Sequence, residues 1–127
     1  MSRSPETVEE LAEQYRAVLL KMHAEQLEQG GKPRAWNRLV NRMQATQLKL
    51  RATQEGRDAI TSLIGDENAT VRSWSAVNAL SWAETRARTE LEREADSGGI
   101  TGFEASITLR EFDAGRLNTA WVPAKRC

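Results

Sequence analysis

His23 is the only histidine of the chain, and its only cysteine is Cys127, the last residue. Nucleophilic catalysis needs a serine or cysteine held against an imidazole and a third group to orient it. No local motif sets such a nucleophile beside His23, which falls within a helical run and reads as an ordinary, partly exposed histidine. One histidine and one terminal cysteine do not make a zinc site. The pairs Gly30-Gly31 and Gly98-Gly99 stand outside any phosphate-loop context and read as helix stops. Carboxylates such as Glu90, Glu92 and Glu94 fall in a run that reads as a solvated helical face. No catalytic, cofactor-binding or metal-ligating residue is therefore expected, and the chain is expected not to be an enzyme.

Binding chemistry is better represented. Arg34, Arg38 and Arg42 lie four residues apart, so they share one helical face. That face suits phosphate or an acidic protein surface. The preferred alternative pairs it with Glu9, Glu13 and their neighbours on the preceding helix. Of the four tryptophans, Trp36 and Trp74 are expected in or near the core. Trp82 opens a helix and Trp121 lies in the tail. Tryptophan and arginine often anchor interfaces, but both residues could instead close the ends of the core, Trp121 by folding the tail back over the last helix. The expected partner-binding residues are Arg34, Arg38, Arg42, Trp82, Glu84, Glu90, Glu94 and Trp121.

Helices must position these groups. Val8, Leu11, Tyr15, Val18, Leu19 and Met22 recur at spacings of three and four. Ser4 is placed to cap this helix, Pro5 suits its first turn, and Gly30-Gly31 ends it. Pro33 opens a second helix carrying Trp36, Leu39, Val40, Met43, Gln47 and Leu50, with Gly56 its expected end. The short linker folds the two into an antiparallel hairpin. Shorter helices follow: Asp58 to Ile64 with Gly65 as stop, and Val71 to Leu80, rich in small residues. Ser81-Trp82-Ala83-Glu84 matches a capping box ahead of the stripe Ala83, Ala87, Leu91 and Ala95. Thr101-Gly102-Phe103-Glu104 matches another, ahead of Ile107 and Phe112, with Gly115 as the end. Nothing reads as a strand.

The 127 residues suit one domain with a buried core. With no long apolar stretch and no secretory leader, a cytoplasmic location is expected. The net charge is zero, with 18 basic and 18 acidic residues, which argues against a dedicated nucleic-acid binder. The charge is unevenly spread: residues 1–30 carry net −3, 31–57 net +6, 58–99 net −4 and 100–127 net +1.

The segment Leu63-Ile64-Gly65-Asp66-Glu67-Asn68-Ala69-Thr70-Val71-Arg72, followed by Ser75-Ala76 and Leu80, resembles a HEAT-like repeat. Leucines close one helix, an acidic turn follows, and Val-Arg begins the next; small residues let the helices approach. From about residue 5 to 117 the chain resembles a family of small bacterial proteins with a long N-terminal helix pair, one such repeat and a closing segment like Thr108-Leu109-Arg110-Glu111-Phe112. The resemblance implies an all-α fold of about six helices: an N-terminal antiparallel hairpin, then HEAT-like short helix pairs in an α-α superhelix. It implies one helical-repeat domain over 1–127, with 116–127 a non-helical tail. Proteins of this type serve as immunity proteins beside secreted toxins. A non-catalytic protein that binds and occludes a cognate toxin is therefore expected, without cofactor or membrane. The alternatives are a HEAT-like nucleic-acid binder using the Arg34/Arg38/Arg42 face and a homo-oligomeric adaptor.

Overall fold

The computed structural model describes residues 6–27 and 33–123. Among them are six α-helices and no strand: α1 (Val8–Leu27), α2 (Pro33–Arg51), α3 (Gln54–Ser62), α4 (Ala69–Ala79), α5 (Glu84–Ser97) and α6 (Gly99–Asp113). A single 3₁₀ turn, Leu63–Gly65, links α3 to α4. The fold is all-α, and no helix among the described residues is long and apolar enough to cross a membrane.

Periodicity explains α1. Its buried residues are Leu11, Tyr15, Val18, Leu19 and Met22, one stripe at spacings of three and four. The expected cap and proline, Ser4 and Pro5, lie outside the described residues, as do Gly30-Gly31 and Cys127. A reciprocal cap is formed instead by Thr7 and Glu10. The Glu10 amide donates to Thr7 Oγ1 at 3.1 Å, and the Thr7 amide donates to Glu10 Oε1 at 3.1 Å. Lys49, near the end of α2, pairs with Glu6, just before α1, at 3.2 Å. The two packed helices therefore run antiparallel.

Gly56 does not end α2. The helix stops at Arg51, Thr53 caps α3 by accepting from the Gly56 amide, and Gly56 lies inside α3. A Cβ there would stand 1.8 Å from the Leu50 carbonyl oxygen, so the glycine permits backbone contact between α2 and α3. Neither expected capping box forms. Ala83 precedes α5 with no side-chain cap, and Ser81 Oγ accepts from Arg51 Nη2 at 2.9 Å instead. Helix α6 starts at Gly99, so Thr101 already lies within its first turn. Gly98 and Gly99, both with φ near +75°, reverse the chain between α5 and α6.

The acidic turn before α4 is tied down at each residue. Asp66 accepts a two-pronged bond from Arg16 of α1, at 2.9 and 3.2 Å. Asn68 Oδ1 accepts from the Thr70 and Val71 amides, capping α4. Arg72 returns to donate to the carbonyls of Asp66 and Glu67, both at 2.9 Å, while Val71 is buried.

The core joins the α1 stripe to Met43, Leu50, Ile60, Ile64, Val71, Ala76, Ala79, Leu80, Ala87, Leu91 and Ala105. It also encloses a polar knot. Tyr15 Oη shares a hydrogen bond with Ser75 Oγ at 3.1 Å and accepts from Asn78 Nδ2 at 3.0 Å. Burial pushes the Tyr15 hydroxyl up to about 12. Residues after α6 fold back across α2: the Thr119 carbonyl accepts from Gln44, Gln47 and Arg51, and the Trp121 carbonyl from Gln44.

Candidate partner-binding surface

Helix α6 is held chiefly by α5. The contact needs small residues. Gly102 and Ala105 are its buried positions, and a Cβ on Gly102 would stand 2.7 Å from the Glu94 carbonyl oxygen. Held this way, α6 stands away from α4 and leaves an open cleft between them. Trp74, Val77 and Ser73 of α4 form one wall; Thr101, Glu104, Ala105 and Thr108 of α6 form the other. Leu91 and Glu94 of α5 also line it, as do Trp36 of α2 and Gln26 of α1. Its volume is about 190 Å³. It continues into a wider depression of about 440 Å³ that reaches His23, Leu27, Ala69, Thr70 and Ile100. There His23 Nδ1 and Thr70 Oγ1 share a hydrogen bond of 2.7 Å.

Two large exposed apolar side chains line this depression: Leu27 is 72% exposed and Ile100 79%. Phe103, 65% exposed, is two residues from Thr101 and from Ala105, about 200° around α6, and so faces away from the cleft. Leu27 and Ile100 lie together on the rim of one depression, and an apolar rim of that kind is a usual mark of an interface.

Glu94 carries the strongest electrostatic perturbation in the cleft. Only 8% of the residue is exposed. Its Oε1 accepts from Ser73 Oγ at 2.5 Å, and no donor among the described residues reaches its Oε2. Burial, then the hydrogen bond with Glu90, push its pKa up to about 7. Glu90, one turn earlier on α5, is held below the usual carboxylate range although burial opposes it, because Arg93 bonds it at 2.6 Å and Arg72 stands at 3.7 Å. Two adjacent carboxyls thus divide their roles: Glu90 stays ionised and Glu94 keeps a proton near neutrality, which it donates to Glu90.

The expected binding residues are dispersed over three regions. Glu90 and Glu94 meet at α5, whereas Glu84 is exposed and pairs with Arg88 at 3.4 Å. Trp82 is half-buried, donates from Nε1 to Thr61 Oγ1 at 2.9 Å, and carries the Arg51 guanidinium 5.0 Å from its ring centroid. Trp121 is also half-buried and is tied through its carbonyl to α2 rather than over α6. Arg34, Arg38 and Arg42 are exposed and form no ion pair among the described residues, so the preferred pairing with Glu9 and Glu13 is not found. Trp36 is two residues from Arg34 and from Arg38, about 200° around α2, which puts the arginine face opposite the cleft. Of the residues lining the cleft, Trp36 and Trp74 read from sequence as core, and Glu104 carried only a capping role. No group of three or more histidine, cysteine or acidic side chains among the described residues is arranged to hold a metal ion. Compared with known proteins, the chain matches no family model, no curated sequence and no solved structure.

Proposed function

We propose that this is a non-catalytic protein-binding helical protein that neutralises a protein partner by covering it with the α4–α6 face. The observation that carries the proposal is the open cleft between α4 and α6, with the exposed apolar side chains of Leu27 and Ile100 in the lining of its wider part. The more specific reading, an immunity protein that occludes a cognate toxin, draws support from the HEAT-like pattern of Leu63 to Arg72. In that segment Asp66, Asn68 and Arg72 each have a physical task in the turn. Co-expression with the products encoded next to it tests both levels. Co-elution with one of them, lost in a Leu27→Asp/Ile100→Asp variant, supports protein binding through this face. Rescue of cells from that product's toxicity supports immunity. Failure of every neighbour to co-elute contradicts the proposal.

The three unpaired arginines favour a second reading, nucleic-acid binding through the opposite face of α2. Three phosphate contacts imply a slope of log K against log salt of about −3, abolished by Arg34→Glu/Arg38→Glu/Arg42→Glu. Salt-independent or absent binding to duplex DNA removes it.

A further inference from the structure

The α4–α6 cleft is poor in positive charge. Glu94 and Glu104 line it, and among the described residues no lysine or arginine does. The charged groups packed around Glu94 are Arg72 on α4, Glu90 and Arg93 on α5, and Glu104 on α6. Both arginines are already engaged by Glu90. When Glu94 is ionised its Oε2 has no partner, although the residue is nine-tenths buried. Near neutral pH a shared proton therefore serves where a counter-ion would. The opposite requirement, a flat apolar surface for a cation's stem or face, is met by Trp36 and Trp74. An indole beside a carboxylate is the combination that retains a guanidinium or ammonium.

We propose that the cleft receives a lysine or arginine side chain presented by the protein partner, seated against Trp36 and Trp74 and neutralised by Glu94 and Glu104. This rests on the protein-binding reading above and assigns the chemistry of the anchor. The incoming cation displaces the proton that Glu94 shares with Glu90. Binding therefore releases a proton, and affinity rises with pH until Glu94 is ionised in the free protein as well. With the free carboxyl titrating at about 7, the gain between pH 6 and pH 8 is about tenfold.

The test is a titration of the full chain with Nα-acetyl-arginine amide and Nα-acetyl-lysine amide, followed by the four indole N–H resonances. The expected result is saturable shifts of Trp36 and Trp74 at millimolar ligand, with Trp82 and Trp121 still. Nα-acetyl-citrulline amide, of the same shape but uncharged, leaves all four in place. Glu94→Gln keeps the geometry of the protonated carboxyl, weakens binding about tenfold at pH 8, and removes the pH dependence; Glu104→Gln weakens binding and keeps it. Equal response to citrulline, shifts confined to Trp82 or Trp121, or no shift at either pH overturns the proposal. If an encoded neighbour co-elutes while neither cation shifts Trp36 or Trp74, the anchor assignment fails and the protein-binding reading stands. If the cations bind with the expected pH dependence while no neighbour co-elutes, the cleft chemistry stands and the protein-binding reading fails.

Discussion

Replacing Glu94 with glutamine should stabilise this protein at pH 8 and leave it nearly unchanged at pH 5. Folding raises the Glu94 carboxyl from 4.5 to about 7. The folded state therefore holds a proton that the unfolded chain releases above about pH 4.5. The sign follows: no penalty exists below that pH, a penalty grows as pH rises towards 7, and it is constant above. A rise of this size corresponds to about 3 kcal/mol at most. The coupled depression of Glu90 offsets part of it, leaving about 1–3 kcal/mol. Glutamine retains a carbonyl to accept from Ser73 Oγ and an amide to donate to Glu90, so it mimics the protonated form. The assay is urea unfolding of wild type and Glu94→Gln at pH 5 and pH 8, compared at equal m-values. An advantage of glutamine at pH 8 that vanishes at pH 5 is expected. Equal differences at both pH values, or a glutamine variant less stable at pH 8, would refute the reasoning.

Other substitutions probe the frame that holds the cleft open. Gly56→Ala places a methyl against the Leu50 carbonyl, and overpacking of backbone against backbone should cost about 3 kcal/mol or prevent folding, read by thermal denaturation. Asp66→Ala removes the bonds to Arg16 and the Asn68 amide and should cost about 1–3 kcal/mol at pH 7. Arg16 holds the Asp66 carboxyl below its ordinary pKa, so this contribution is present above about pH 4 and is lost as pH falls through the lower folded value. The difference between wild type and variant should therefore shrink under acid. Arg51→Ala releases Thr119, Ser81 and the Trp82 ring together and should cost about 1–3 kcal/mol, with a change in Trp82 fluorescence. Phe103→Asp, at an exposed position, should change stability by less than about 0.5 kcal/mol in urea unfolding.

Sequence pattern identified the helices because their apolar spacing is local information. The stripe Leu11, Tyr15, Val18, Leu19 and Met22 is the buried face of α1, and the short linker implied the hairpin that the Lys49–Glu6 pair confirms. Errors arose where a residue type has two uses. Gly56 has the composition of a stop, but its lack of a side chain serves a helix–helix contact with Leu50. Ser81 and Glu84 have capping-box spacing, yet Arg51 from α2 takes the serine, an interaction 30 residues away that no local motif records.

The cleft was legible only in part, since it exists where α6 stands away from α4. Its position depends on Gly102 lying against the Glu94 carbonyl. Glu94 looked like one member of a solvated acidic run, but α4 packs over it and withdraws it from water. Trp36 and Trp74 followed the inward period correctly, and only tertiary packing shows that both also reach the cleft. A weak signal was present in α6 itself. Gly102 and Ala105 follow one face while Ile100 and Phe103 follow another, which marks a helix packed on a single neighbour.

The central claim, that the α4–α6 face binds a protein, is tested most directly by co-purification of each encoded neighbour with three forms of the chain. These are wild type, Leu27→Asp/Ile100→Asp, and Arg34→Glu/Arg38→Glu/Arg42→Glu. The account predicts that one neighbour is retained by wild type and by the arginine variant and is lost from the cleft variant. Retention by the cleft variant, with loss from the arginine variant, would contradict it.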